Sequence, residues 1–402
     1  MQFRTLDGVD VKDKRVLVRV DFNVPMADGE VADDTRLKIA LPTINRLRAG
    51  GAKTILLSHF DRPKGKRVPS MSLKPVAEPL AALLGAPVAF AEDCVGEIAK
   101  AAVDRMKPGD VLLLQNVRFH AGEEANDPAF ARELAANGDI YVDDAFSTAH
   151  RAHASTEGLA HLLPAYAGES MRRELDALHA ALGAPVRPVL GIVGGSKVGT
   201  KLDLLHNLIL KLDQLAIGGG MANTFLYAEG WEVGSSYCEK DLADTARGIL
   251  AFAEKRHCEI LLPIDIVVAE RTEPGAAARI RELGQLDEHE RILDAGPATV
   301  ERICRAMDKA KTLIWNGPLG VFEMPPFDKG TVTVARYAAS LCKAGKLVAV
   351  GGGGDTVAAL NAAGVTQDFT FVSTARGAFL EWMEGKPLPG VEALTAQAAN
   401  AK

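Results

Sequence analysis

The sequence predicts an α/β fold with two doubly wound, mainly parallel sheets. Short β-branched or leucine-rich runs alternate along the chain with alanine-rich amphipathic stretches, as expected of strands buried on both faces by helices. The 402 residues are enough for two or three domains of about 150 residues each. Almost every apolar run ends on chemically unusual residues, and open α/β sheets bind ligands at the carboxyl ends of their strands.

The predicted strands of the first part are RVLVRV (15–20), TILLS (54–58), PVAFA (87–91), DVLLLQ (110–115) and DIYVDD (139–144). Those of the second are PVLGIVG (188–194), QLAIGG (214–219), EILLPIDIVVA (259–269), TLIWNG (312–317), KLVAVGG (346–352) and FTFVST (369–374). Helical segments such as 128–137 and 331–341 separate them. The join is expected in GESMRRELDALHAALGAPVRPVLG (168–191), where a polar helix runs into Gly183, Pro185 and Pro188. Domains are therefore expected over 1–170 and 171–387.

Composition narrows the partners. Hydrophobic residues make up 48% and charged residues 24%, the balance of a soluble globular protein. Aromatics at 5% and a net charge of −6 argue against nucleic acid and anionic membranes. Residues 1–173 hold 23 Lys and Arg against 24 Asp and Glu, so any anion site there must come from local clustering. The 5 cysteines are scattered and never in C-x-x-C, which excludes a disulfide scaffold and carries no zinc signature. A charged N-terminus without an apolar core region and the lack of a membrane-length apolar run predict a cytoplasmic protein.

Arginines and histidines gather at the strand ends of the first part: Arg19, Arg36, His59, Arg62, Arg118, His150, Arg151 and His153. Guanidinium groups converging in this way suit a small, oxygen-rich, highly anionic ligand, held by forked charge-assisted bonds. Asp21 and Asn23 lie beside them and either accept ligand hydroxyls, hold an arginine in register, or cap the strand end.

The second part reads as a nucleotide site. In GIVGGSKVGTKLDLL, a strand and glycine turn lead into Lys197 and Lys201, expected at i,i+4 on one face of a helix start. IGGGM (217–221) and GGGGD (351–355) offer backbone for close approach to a base or phosphate. Asp355 is either an N-cap or a carboxylate for Mg2+, with the Thr356 hydroxyl on phosphate. Glu323 in WNGPLGVFE is a candidate acceptor for a ribose hydroxyl.

Taken together, RVDFNVP (19–25), SHFDRP (58–63), NVRFHAGEE (116–124), DAFSTAHRAH (144–153), GGSKVGTKL (194–202), IGGGMANTFL (217–226), WNGPLGVFE (315–323), GGGGDT (351–356) and EGKPLPGVEAL (384–394) resemble the phosphoglycerate kinase family, in order and spacing, over almost the whole chain. The resemblance implies two Rossmann-like domains joined by a hinge helix, acting as a monomer, with a C-terminal segment (about 388–402) returning to the first domain. It implies reversible phosphoryl transfer from 1,3-bisphosphoglycerate to MgADP, giving 3-phosphoglycerate and MgATP, with the hinge closing a cleft between the domains.

By position, the resemblance puts phosphoglycerate on Asp21, Phe22, Asn23, Arg36, His59, Phe60, Asp61, Arg62, Arg118, His150 and Arg151. It puts nucleotide on Lys201, Gly219, Gly220, Gly296, Asn316, Glu323, Gly353, Gly354, Asp355 and Thr356, with Asp355 toward Mg2+. Arg36, Lys197 and Lys201 match the groups that surround the moving phosphoryl group.

Three stretches depart from the family pattern. Ser196 stands for alanine, and SHFDRP stands for SHLGRP, changing the turn at Asp61. In FVSTARGAFLEW (371–382), Ala375 and Arg376 replace two of three glycines at a helix start. Arg376 there either blocks backbone approach, strains a position that needs positive φ, offers its own guanidinium, or turns to solvent. Two other readings stand beside the kinase: a carboxylate-activating ligase on a similar fold, and a catalytically poor relative kept for binding.

Overall fold

A computed structural model describes residues 2–400. The chain divides into two compact units, one comprising residues through Asp176 together with those from Pro387 onward, the other Ala177–Lys386. The division falls within the helix Glu169–Leu178.

The first unit holds six parallel strands in the order Val88–Ala91, Val111–Leu114, Lys53–Leu57, Arg15–Arg19, Ile140–Asp143 and Ala165–Ala167. Val16, Leu17 and Val18 are wholly buried, because helices cover both faces and no polar alternation is needed. Each such side chain contributes roughly 1.5–3 kcal/mol of hydrophobic stabilisation. The chain leaves the first strand toward one edge and returns to its other side at Ile140–Asp143, creating a topological switch point. Arg19 is in register with both Leu57 and Asp143, so the loops after all three strands open at that point.

Helix Pro389–Asn400 belongs to this unit; Val391 and Leu394 are buried, and Gly390 N–H donates to the Ala149 carbonyl at 2.9 Å.

In the second unit, six parallel strands run in the order Glu259–Leu261, Gln214–Ile217, Val189–Val193, Thr312–Asn316, Val348–Gly352 and Phe371–Ser373. By position in the chain this is third, second, first, fourth, fifth, sixth, the Rossmann order. Its switch point lies between Val189–Val193 and Thr312–Asn316, where Val193 is in register with Asn316. Trp315, 1% exposed, anchors the core there, its indole N–H donating to the Gly317 carbonyl at 2.7 Å.

Several strands depart from the sequence reading. The run 259–269 is two strands rather than one: Glu259–Leu261 stays in the parallel sheet, while Asp265–Ala269 pairs antiparallel with Arg279–Glu282 and Arg291–Ala295. Pro263 lies between them and has no N–H for a continuing ladder. RIRE and RILDA carry too many charges to read as strands, and Ala165–Ala167 is too short. Helices Pro128–Ala135 and Lys329–Lys343 occupy the predicted segments.

Candidate active site

At the switch point of the first sheet, Asp21 organises the loop that follows Arg15–Arg19. Its Oδ1 accepts from Arg36 Nη1 at 2.9 Å and from Asn23 N–H at 3.1 Å, and its Oδ2 accepts from the Ser147 hydroxyl at 2.5 Å. Arg36 also donates to the Asn23 carbonyl at 2.8 Å, so its guanidinium is held in one place. Asn23 Oδ1 in turn accepts from Asp61 N–H at 3.0 Å. Asp61 has φ +52°, a left-handed conformation that aspartate tolerates better than most residues, so the turn survives the loss of glycine.

His59 lies beneath this loop and is buried. Arg19 Nη2 sits 3.2 Å from its Nδ1; since a guanidinium only donates, Nδ1 accepts and the ring proton belongs on Nε2. Burial, followed by the charges of Arg19, Arg118, Arg36 and Arg151, holds the His59 pKa well below its ordinary value. The ring is therefore neutral at physiological pH, inside a field of four guanidinium groups.

Arg118 donates to the Asp61 carbonyl at 2.8 Å, and burial with the nearby Arg19 and Arg151 lowers its pKa to about 10. Arg151 Nε lies 3.4 Å from His150 Nε2. Arg62 is exposed, while Phe22 and Phe60 are buried and hold backbone: their N–H groups donate to Ser58 Oγ at 2.8 Å and Asn116 Oδ1 at 3.1 Å. His153 is buried too, and its pKa falls to about 4 through burial and the same arginines.

At the switch point of the second sheet, Lys201 Nζ donates to the Gly194 carbonyl at 2.6 Å and to Asn316 Oδ1 at 2.7 Å. Asn316 Nδ2 passes the contact on to the Gly352 carbonyl at 2.9 Å. Gly194 has no room for a side chain, since a Cβ there would lie 1.7 Å from the Pro318 carbonyl oxygen. Gly353, at φ +99°, would place a Cβ 2.7 Å from Asn316 Nδ2. Both glycines let three strand ends close together around one lysine.

The expected lysine pair on one helical face is not present. Gly199–Lys201 forms a 3-10 turn, and the α-helix starts only at Leu202. Lys197 is exposed while Lys201 turns inward, because the turn between them is fastened from outside: Glu239 Oε2 accepts from Val198 N–H at 2.6 Å and Gly199 N–H at 3.2 Å.

Asp355 is exposed in the first turn of helix Gly354–Ala363, whose N-cap is Gly353 without a side-chain cap bond. Of the two roles open to Asp355, capping is thus unused. Thr356 is buried and its Oγ1 accepts from Gly317 N–H at 2.7 Å. Gly219 and Gly220 open helix Gly219–Ala228, and Gly296 caps helix Pro297–Lys309 with its Cα against the Asp265 carboxylate. Glu323 is exposed on the turn after Thr312–Asn316.

A family model described as phosphoglycerate kinase matches residues 6–386. Curated proteins named phosphoglycerate kinase from Caulobacter vibrioides (strain NA1000 / CB15N) and Brucella abortus biovar 1 are 68% and 61% identical over 394 residues, 98% of this chain and 100% of theirs. The solved phosphoglycerate kinase of Coxiella burnetii superposes with a TM-score of 0.93 at 40% identity, covering 99% of this chain and 100% of that one. The chain belongs to the phosphoglycerate kinase family. As a phosphoglycerate kinase it is a phosphotransferase with a carboxyl group as acceptor, serving glycolysis, and the ligase reading falls away.

Sequence reasoning passed over two residues of this phosphoglycerate kinase, one in each unit. Glu123, wholly buried, accepts from Ser155 N–H at 2.9 Å and Ser155 Oγ at 2.5 Å; Ser155 Oγ in turn accepts from Arg19 Nε at 2.8 Å. Glu239 is the other. Glu123 stood inside the quoted NVRFHAGEE, but a buried carboxylate is not distinguishable there from its exposed neighbour Glu124. Arg376, where the phosphoglycerate kinase pattern has glycine, is exposed at the N-cap of helix Gly377–Met383 with φ +40° and ψ −97°.

Proposed function

We propose that the first unit binds phosphoglycerate and the second binds Mg-nucleotide. One observation carries the first assignment: four guanidinium groups surround a neutral, buried His59 at a switch point. Arg36, Arg118, Arg151 and Arg62 bind the phosphate and carboxylate oxygens of 3-phosphoglycerate or 1,3-bisphosphoglycerate, with His59, His150, Asp21, Asn23 and the Asp61 turn on the remaining oxygens. Phe22 and Phe60 shape that turn from below.

On the second unit, Gly219, Gly220, Gly296, Asn316 and Glu323 receive the adenosine portion of ATP or ADP, and Gly353, Gly354 and Thr356 receive its phosphates at a helix N-terminus. Asp355 fits Mg2+: it is exposed, offers hard oxygen ligands, and no hydrogen bond or ion pair engages its carboxylate among the described residues. Bound Mg2+ supplies charge neutralisation on the phosphate chain.

An acyl phosphate is already activated, so the chain's task is to position the reactants and neutralise charge rather than to deprotonate a nucleophile. Arg36 steadies the acceptor side; Lys197 and Lys201 neutralise the oxygens of the phosphoryl group in transit. A cytoplasmic monomer suits this role, with small molecules as partners and neither nucleic acid nor membrane.

A coupled assay with 3-phosphoglycerate and MgATP tests these roles. Arg118→Met is expected to raise KM for 3-phosphoglycerate while leaving that for ATP, and Asp355→Asn to raise the Mg2+ requirement. The reverse pattern would overturn the division of labour.

A further inference from the structure

Away from the substrate residues, the first unit brings together three side chains to which neither the proposed substrate site nor the transfer chemistry gives a role. Asp93 and Cys94 follow the strand Val88–Ala91; His120 follows the short turn Val117–Phe119. One ligand atom from each, a carboxylate oxygen, Sγ and a ring nitrogen, lies within 4.8 Å of the others. We propose that Asp93, Cys94 and His120 form a binding site for a soft divalent cation of the Zn2+ class, with water completing the coordination.

The donor set is the argument. Thiolate, imidazole and carboxylate are the ligands Zn2+ takes, and three protein ligands plus water is a standard open site. Around a tetrahedral ion such donors stand about 3.3–3.8 Å apart, so the hydrogen-bonded His120–Asp93 pair opens slightly to admit the ion while the other donors stay within reach. His120 Nε2 is already 2.7 Å from Asp93 Oδ1, which also accepts Cys94 N–H at 2.7 Å. The imidazole is fixed by stacking on Phe130 at 5.0 Å between centroids. Cys94 is only 1% exposed, whereas the Asp93 and His120 side chains are 27% and 32% exposed, which leaves an entrance on one side.

Charge balances as well. A divalent cation is matched by one carboxylate and one thiolate; the thiol proton leaves to solvent, and the imidazole proton moves from Nε2 to Nδ1 to free the ligating nitrogen. Without a cation, burial and then the negative charges of Asp93, Glu123 and Glu133 push the Cys94 thiol well above its ordinary pKa. Those same charges attract a cation, which reverses the penalty on the thiolate. Cys94 is therefore an inert thiol until metal arrives.

The test is titration of the nucleotide-free full chain with Co2+, whose thiolate complexes absorb in the near ultraviolet. The expected result is a charge-transfer band that saturates at one Co2+ per chain, is bleached by Zn2+, and is absent in Cys94→Ala. His120→Gln should weaken Co2+ binding at least ~10-fold. Both variants should keep kinase activity in metal-chelated buffer with Mg2+ restored, which shows that they fold. If Cys94→Ala does not fold, Cys94→Ser keeps the side-chain volume and should likewise lack the band. No band in the wild type, or an undiminished band in the Cys94 variants arising from Cys238, Cys304 or Cys342, would overturn the assignment.

Discussion

Lys201 Nζ donates to Asn316 Oδ1 at 2.7 Å, so a half-buried cation rests on a neutral amide. Burial lowers its pKa to about 8, with Asp355 alone pulling the other way. The unfolded chain keeps this proton up to the ordinary value of 10.5, so the lysine's contribution to stability grows as pH rises from about 8 to 10.5. On the proposed assignment of Lys201 to the nucleotide, a bound phosphate supplies the missing countercharge. We therefore expect kcat/KM for MgATP to fall above pH about 8, with the limb in kcat displaced upward once nucleotide is bound. A kcat/KM profile flat well beyond that pH would refute it. Lys201→Met should lower kcat by roughly 10²–10³-fold while preserving the stability of the ligand-free protein.

Arg376 occupies φ +40° and ψ −97°, outside the left-handed well that non-glycine residues sometimes use. Such backbone strain costs on the order of 1–3 kcal/mol. Arg376→Gly should raise unfolding stability by about 1 kcal/mol and raise kcat, with KM for 3-phosphoglycerate unchanged. Denaturant unfolding and steady-state kinetics on the same preparation separate the two effects. A gain in stability with no change in kcat would mean that the arginine points away from the transferred phosphate.

Glu123 holds Arg19 through Ser155, and Arg19 sits against His59. Burial raises the Glu123 pKa while Arg19 and Ser155 oppose the rise, so the carboxylate depends on its partners. Glu123→Ala leaves Arg19 buried without its countercharge and should cost roughly 3–5 kcal/mol in chemical unfolding. Glu123→Gln retains shape and should fold, with KM for 3-phosphoglycerate raised several-fold and KM for ATP unaffected. Equal shifts in both constants would point to general damage instead.

The parallel sheets were legible because strands covered on both faces read as continuous apolar runs, and the residues after Arg19, Leu57, Val193 and Asn316 advertise their chemistry. The antiparallel strands Arg279–Glu282 and Arg291–Ala295 were not, since their charges read as loop. Within the site, residues near each other in sequence were found readily, whereas those acting across long separations were not. Glu239 reaches the Val198 and Gly199 amides from a remote loop and fastens the turn between solvent-facing Lys197 and inward-turned Lys201. Periodicity alone had placed both on one face.

Asp144 offers a test of the first unit by pH alone. Its Oδ1 accepts from Ser170 N–H at 2.9 Å and Met171 N–H at 3.2 Å, holding the start of helix Glu169–Leu178. Burial nevertheless raises its pKa to about 7, against the pull of Thr43, Met171 and Ser170. The native state thus binds a proton that the unfolded chain has released above the ordinary value of 3.8. Stability from this group is full below that value and is lost as pH rises through about 7. Asp143, its pKa raised to about 6 by burial, loses stability in the same direction. Buried His59 opposes both, since its unfolded form gains a proton below 6.5 that the native form refuses. Asp144→Asn mimics the neutral acid, so it should flatten the decline in stability between about pH 4 and 7 and leave the variant more stable than wild type at pH 8. Urea midpoints measured across that range decide the matter: a slope identical to wild type would mean that Asp144 is ionised throughout.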